Sequence, residues 1–353
     1  MNPRGRIGYI DCAKGIAILL VIAGHTVFQE PFRGAVFSFH MPLFFILSAM
    51  TSRFSTSAEE FLPRFRKSCR HLLPPAVLCW LIGLLYTPLH NMAVLGNPSL
   101  DWRPYLESQL LTLFWGSSVI VKVGAVEVLP LGVLWFFFVL CFGRSLYDLL
   151  HIKFRGKSLF AVTLALSALA CLLSRYVWLP LSLDIAPAIL PFFFVGEYLP
   201  KDRLQQEPVK KMVVACALWV ATLSVYLFVG GPYLEIAARH YRIFPLSYFT
   251  AVCGTLMVLE FSILLERCRV VSDRLCDIGR DSLYLLCIHH FDGIWAAVWT
   301  LGGSVTNQYA ASLLRIAVDI CIMCVFLFIK KGISGLRRSR SVASASRGAD
   351  DGE

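Results

Sequence analysis

The sequence predicts an all-α membrane protein, a polytopic bundle of about ten transmembrane helices. Three observations carry that prediction. Of 353 residues, 57% are hydrophobic and 16% charged, where a soluble domain carries about 25% charged residues; the mean hydropathy is +0.66. Apolar runs of about 20 residues, the length that crosses a bilayer, recur along the whole chain, so one continuous bundle is expected rather than separate domains. The positive charge is also distributed one-sidedly.

The predicted spans are 9–27, 34–50, 72–92, 131–149, 158–177, 184–199, 211–229, 244–265, 281–300 and 310–329. With these, alternate loops fall on alternate sides of the bilayer. One side receives Arg4 and Arg6, then Arg64, Arg66, Lys67 and Arg70, and then Lys153, Arg155 and Lys157. The same side receives Lys201, Arg203, Lys210 and Lys211, then Arg267, Arg269, Arg274 and Arg280, and finally Lys330, Lys331 and the tail. Roughly 26 of the 33 Lys and Arg residues lie on or near it, which the positive-inside rule makes cytoplasmic. Both termini are then cytoplasmic, as expected of a multi-pass protein of a bacterial inner or plasma membrane. A missed span would reverse the bias partway along the chain. The net charge of +10 is therefore topological and does not point to nucleic acid.

Residues 1–335 read as a single integral membrane domain and 336–353, rich in Ser, Arg, Ala and Gly, as a disordered cytoplasmic tail. The N-terminus lacks the pattern of a cleaved signal peptide, because Asp11 and Lys14 interrupt its apolar stretch. After the second span, Ala58–His71 is basic and amphipathic and is expected at the cytoplasmic interface. The longest loop, about 93–130, lies on the far side; its apolar stretch Leu110–Val123 is too short for a span and reads as re-entrant or interfacial. The twelve cysteines are scattered, mostly within spans, and read as buried free thiols.

A charge inside a membrane segment costs about 2.5–3.5 kcal/mol on insertion scales, so each one needs a reason. The first span holds Asp11, Lys14 and His25. Lys14 and His25 are eleven residues apart, three turns plus about 20°, and so lie on nearly the same helix face with about 16 Å between them. Asp11, one turn before Lys14, is placed to pair with it. A neutral imidazole takes the proton of an attacking hydroxyl, and a cation further along the face binds phosphate or orients its partners. The plainer reading makes Asp11 and Lys14 interfacial anchors and His25 a hydrogen-bonded end-of-helix residue.

In the second span, His40 and Pro42 interrupt an apolar run. Pro42 removes a backbone hydrogen bond and is expected to kink the helix. A kink tolerated in lipid lies against protein or a cavity, which makes His40 a candidate substrate contact. Trp135, at the start of the fourth span, is a core aromatic on the commoner reading and otherwise a ring free to stack on a ligand. The run His289-His290-x-Asp292 offers no recognisable ligand set, so no metal is expected. Arg280 and Asp281 read as a local ion pair, and Glu197 and Glu260 as buried acids without an evident partner.

The run Asp11-x-x-Lys14-Gly15-Ile16, then Gly24-His25, then Phe39-His40-Met41-Pro42-Leu43-Phe44-Phe45-x-x-Ser48 resembles the acyltransferase-3 superfamily of integral membrane O-acyltransferases, in its fucose 4-O-acetylase-like branch. Later segments occur in the same order: Leu134-Trp135-Phe136-Phe137, Pro191-Phe192-Phe193-Phe194-Val195-Gly196, and Ile278-Gly279-x-x-Ser282-Leu283-Tyr284-Leu285-x-x-x-His289. The pair Lys14 and His25 is the lysine variant of the family's motif of a basic residue, ten positions and a histidine. A lysine makes a point contact where arginine would make a fork. Ala49 stands where members usually have glycine.

The resemblance implies a ten-helix bundle, His25 as catalytic base, and Lys14 with Asp11 assembling the site. Around them it places His40, Trp135 and His289 as substrate contacts. It further implies no bound cofactor, acetyl-coenzyme A or another acyl-coenzyme A as co-substrate, and a sugar or cell-surface glycan as acceptor. From the intramembrane charges alone, a secondary transporter with Asp11, Lys14, His25 and Glu260 as its path, or an acyl-group exporter, is the alternative.

Overall fold

The computed structural model describes residues 7–94, 101–124, 126–174, 176–229 and 234–350. They form a helical bundle with two short antiparallel hairpins. In chain order the first helices are α1 (Gly8–Gly24), α2 (Phe32–Phe37), α3 (His40–Met50), α4 (Ala58–Val94) and α5 (Trp102–Trp115). The hairpin of β1 (Val121–Val123) and β2 (Val126–Val128) follows. Next come α6 (Trp135–Lys153), α7 (Gly156–Leu173), α8 (Ile185–Ala188), α9 (Leu190–Tyr198), α10 (Lys201–Leu204) and α11 (Pro208–Val229). After the second hairpin, β3 (Leu234–Glu235) and β4 (His240–Tyr241), come α12 (Leu246–Leu265), α13 (Arg269–Arg280), α14 (Ser282–His290), α15 (Ala296–Trp299) and α16 (Gln308–Asp350).

Seven helices among the described residues are long and apolar enough to cross a membrane, or eight if the bent pair Pro180–Ala188 and Leu190–Tyr198 is one span. Two other predicted spans take less regular forms. α1 has 17 residues, and the segment predicted at 281–300 is α14, a 3-10 turn at Asp292–Trp295 and α15. α1, α3, α6, α9 and α12 carry the buried core, with Ile10, Ile18, Leu43, Phe45, Phe137, Phe193 and Leu259 at 0–1% exposure. α7, α11 and the apolar part of α16 stand at the periphery with their apolar side chains outward, as expected where lipid is the solvent.

Three local predictions are corrected. The interfacial segment Ala58–His71 and the third span are one 37-residue helix, α4, with Pro63, Pro74, Pro75 and Pro88 inside it. The stretch Leu110–Val123 is not one element but runs from the end of α5 into β1. Gly116, at φ 57°, caps α5 by donating its N–H to the Thr112 carbonyl at 2.9 Å, and the chain then turns into β1. The break in the second span precedes Pro42. Phe39 leaves the helix at φ −143°, and Pro42 sits in the first turn of α3, where its missing N–H has no intrahelical partner to lose. Trp219 of α11 pins that break by donating to the Ser38 hydroxyl at 3.0 Å. α16 continues to Asp350, over positions assigned to the disordered tail, and 351–353 lie outside the described residues.

Two glycines let helices meet backbone to backbone. A methyl on Gly279 would overlap the Asp11 carbonyl, so only glycine lets α13 seat against α1. Gly196 of α9 does the same against the Ile46 carbonyl of α3. These are the physical reasons for the glycines of two late sequence motifs.

Candidate active site

α1 carries a polar site at each end. At its start, the Lys14 ammonium lies 3.3 Å from Asp11, as the spacing predicts. Asp11 has a second partner that the sequence reading missed: the Arg280 guanidinium at 3.7 Å, which also pairs with Asp277 at 2.6 Å. Arg280 is therefore part of this site and no local pair with Asp281. The signal was available in Gly279, whose lack of a side chain brings the end of α13 onto Asp11.

Lys14 and Arg280 face a cleft of about 600 Å³ whose other cations are Arg53, Arg64, Lys67 and Arg144, with His71 beside them. Its polar floor is Ser48, Thr51, Ser52 and Ser68. An adjoining recess of about 500 Å³ adds Asp11 and Lys201. This is the volume of a small-molecule site, and its charge suits an anionic ligand.

Hydrogen bonds and ion pairs hold the cleft wall. Ser55 donates its backbone N–H and hydroxyl to Asp148 of α6 at 2.5 and 2.8 Å. Arg64 donates to the Arg53 carbonyl at 2.7 Å. Glu197 has partners after all: the Tyr147 hydroxyl at 2.5 Å and His151 Nε2 at 2.7 Å. His151 Nδ1 in turn lies 2.9 Å from the Ser55 carbonyl. Glu260 is 1% exposed and its Oε2 has no hydrogen-bond partner among the described residues.

At the other end of α1, His25 occupies the C-cap position. It lines a cavity of about 60 Å³ with His40, Trp135, Phe37, Ser118 and Glu235 among its walls. His25, His40 and Trp135 are thus brought together as the sequence predicts. His40, 4% exposed, sets its Nδ1 2.9 Å from the Val36 carbonyl and its ring 4.7 Å from Phe37. The cavity is small, of a size for a few water molecules or a short acyl group. Phe136 lines both the cavity and the cleft.

The second hairpin closes the cavity with Leu234, Glu235, Ile236 and Ala237. It is clasped by Arg239, whose guanidinium reaches both Asp184 oxygens at 2.8 and 3.2 Å and stacks 3.9 Å over Trp178. Glu235 pairs with Arg33 at 3.4 Å and lies 3.7 Å from His240 Nδ1.

His289 does not line the cavity. Its ring centroid lies 5.4 Å from that of His25, and its Nδ1 lies 2.7 Å from Asp292 and 3.7 Å from Asp319. Arg315 binds Asp292 and donates to the His25 carbonyl at 3.1 Å and the Thr26 hydroxyl at 2.8 Å. His289, Asp292 and Asp319 stand close enough together to hold an ion, a grouping the sequence reading did not anticipate because Asp319 comes from α16. Sequence reasoning also missed Arg315 and Asp319 themselves, although both are charges within a predicted span.

A family model described as an acyltransferase domain matches residues 7–332. No curated protein and no solved structure matches the chain.

Proposed function

The chain belongs to the acyltransferase-3 family, and from that premise we propose that it moves an acyl group, acetyl, from acyl-coenzyme A to a hydroxyl of a sugar or cell-surface glycan. The motif resemblance to the fucose 4-O-acetylase-like branch supports the carbohydrate acceptor. The 60 Å³ cavity supports acetyl as the group transferred. The observation that carries the reading is that one helix sets Lys14 in a cation-lined cleft and His25 in a small cavity, with Phe136 lining both.

In this reading the coenzyme's phosphates bind among Lys14, Arg53, Arg64, Lys67 and Arg280 on the cytoplasmic side, and the thioester passes Phe136. The acceptor arrives from the opposite side, past the hairpin that carries Glu235, and presents one hydroxyl to His25. His25 removes the hydroxyl proton as the oxygen attacks the thioester carbon. The new C–O bond forms, the C–S bond breaks, and the proton passes from His25 to the departing thiolate, which returns the imidazole to its neutral form. His40 and Trp135 border the reacting group and exclude water.

The test uses the full chain in lipid nanodiscs with acetyl-coenzyme A and a panel of free sugars and membrane glycans. Thiol release and the acetyl mass gain on the acceptor are both followed. His25→Ala is expected to lower turnover at least 100-fold with expression and melting temperature unchanged. Full turnover by that variant overturns the assignment. Flux of a sugar into proteoliposomes without any acyl donor would favour a transporter instead.

A further inference from the structure

Behind His25 lies a buried cluster that the transfer chemistry above does not use. His289 belongs to the last turn of α14, Asp292 opens the 3-10 turn that follows, and Asp319 comes from α16. Their side chains are 2%, 7% and 0% exposed. One donor atom from each lies within 4.8 Å of the other two. His289 Nδ1 stands 2.7 Å from Asp292 Oδ2 and 3.7 Å from Asp319 Oδ2. Even so, neither Nδ1 nor Asp319 Oδ2 has a hydrogen-bond partner among the described residues. An unsatisfied buried polar atom is costly and rare, and two that face each other in one cluster point to a shared partner.

The outer contacts aim these donors inward. Trp295 Nε1 donates to Asp319 Oδ1 at 3.1 Å, which leaves Oδ2 on the His289 side. Arg315 donates to Asp292 Oδ2, an oxygen with a second lone pair for another partner. Outer donors of this kind orient metal-ligating carboxylates. Formal charge points the same way. Two carboxylates share one guanidinium, and an uncompensated buried charge is strongly unfavourable.

We propose that this cluster is a divalent-cation site of the zinc class, with His289 Nδ1 and one oxygen each of Asp292 and Asp319 as its protein ligands. Bonds of about 2.0–2.1 Å to a tetrahedral zinc set its donors about 3.3 Å apart, and the two distances at Nδ1 bracket that value. An imidazole with two carboxylates suits zinc, whereas magnesium takes oxygen donors and keeps several waters. None of the three ligands lines the cavity of His25, so the ion does not touch the reacting groups. It ties α14, the turn after it and α16 together. Through Arg315, which also holds the His25 carbonyl and Thr26, it steadies the end of α1. The site does not depend on His25 being the base.

The test uses the untagged full chain in lipid nanodiscs, carrying Cys321→Ser and Cys324→Ser so that the exposed C-x-x-C offers no second zinc site. The protein is stripped with a chelator, reloaded with zinc chloride in tenfold excess of magnesium, freed of unbound ions and measured by elemental analysis. One zinc per chain is expected, with a melting temperature above that of the stripped protein. The near-isosteric Asp319→Asn and His289→Gln are each expected to lose the stoichiometric zinc and the thermal shift. Asp277→Asn, an acid of the other site, keeps both. Zinc-edge X-ray absorption of the loaded chain without these substitutions needs no variant to fold, and should show oxygen donors, a single imidazole and no sulfur. Less than half a zinc per chain, sulfur or several imidazoles around the ion, or stoichiometric zinc retained by either ligand variant overturns the proposal. Failure of acyl transfer would overturn the function proposed above and leave the metal result standing.

Discussion

Arg280→Ala is expected to weaken the donor and leave the acceptor alone. The guanidinium lines the 600 Å³ cleft, is 33% exposed, and is tied to Asp277 at 2.6 Å and Asp11 at 3.7 Å. Asp11 keeps Lys14 at 3.3 Å in the variant, so the pair at the start of α1 survives. On the function proposed above, what is lost is one charge-assisted contact to a coenzyme phosphate, worth about 1.5–3 kcal/mol when desolvated. Partial exposure favours the lower end, about 1.5 kcal/mol, or roughly a tenfold rise in KM for acetyl-coenzyme A. The rise should shrink as ionic strength increases, because the reference contact is itself screened. Initial rates over a range of donor at two salt concentrations measure both effects. Asp277→Asn, which removes the neighbouring carboxylate and no cation, serves as control and should not raise the donor KM. A donor KM within twofold of the unmodified enzyme, or a loss that falls on acceptor KM, would refute the assignment of this cleft to the donor.

Other outcomes follow from the same geometry. Trp135→Ala removes a wall of the 60 Å³ cavity and should let propionyl- and butyryl-coenzyme A compete with the acetyl donor. Each added methylene gains about 0.8 kcal/mol where the pocket admits it, and competition assays with mixed donors read the change directly. Gly279→Ala would set a methyl into the Asp11 carbonyl, an overpacking of about 1–3 kcal/mol or more. A lower melting temperature in detergent, together with a raised donor KM as α13 and Arg280 move, is the expected result.

Legibility in the sequence followed the physics of each element. Spans that are long, straight and apolar could be read directly, because lipid forces every backbone group to be satisfied within the helix. The segment at 281–300 was legible only as apolar: its break after His290 is set by packing that brings Asp292 under Arg315. α4 was divided in two because composition changes at His71 while the helix does not. The cavity residues His25, His40 and Trp135 could be found because a histidine or tryptophan at the end of an apolar run stands out. Arg280, Arg239 and Glu235 sit in polar connecting segments where charges are ordinary, and only the tertiary fold gives them partners. Arg315 and Asp319 are different. They stand four residues apart in an apolar run, and the rule that singled out Lys14 applies to them equally.

The two sites depend on α1 for register more than for reach. One residue added between Lys14 and His25 would move the imidazole about 1.5 Å along the axis but turn it about 100°, out of the cavity it shares with His40 and Trp135. The helix is prevented from turning at both ends. At one end Gly15 and Gly279 lock α1 and α13 backbone to backbone, and at the other Arg315 grips the His25 carbonyl and Thr26. These contacts are to backbone or to the last turn, so they fix rotation without touching the reacting face. That leaves the faces of Lys14 and His25 free for ligands, and on the function proposed above it makes Phe136, a side chain common to both chambers, one that a thioester has to pass.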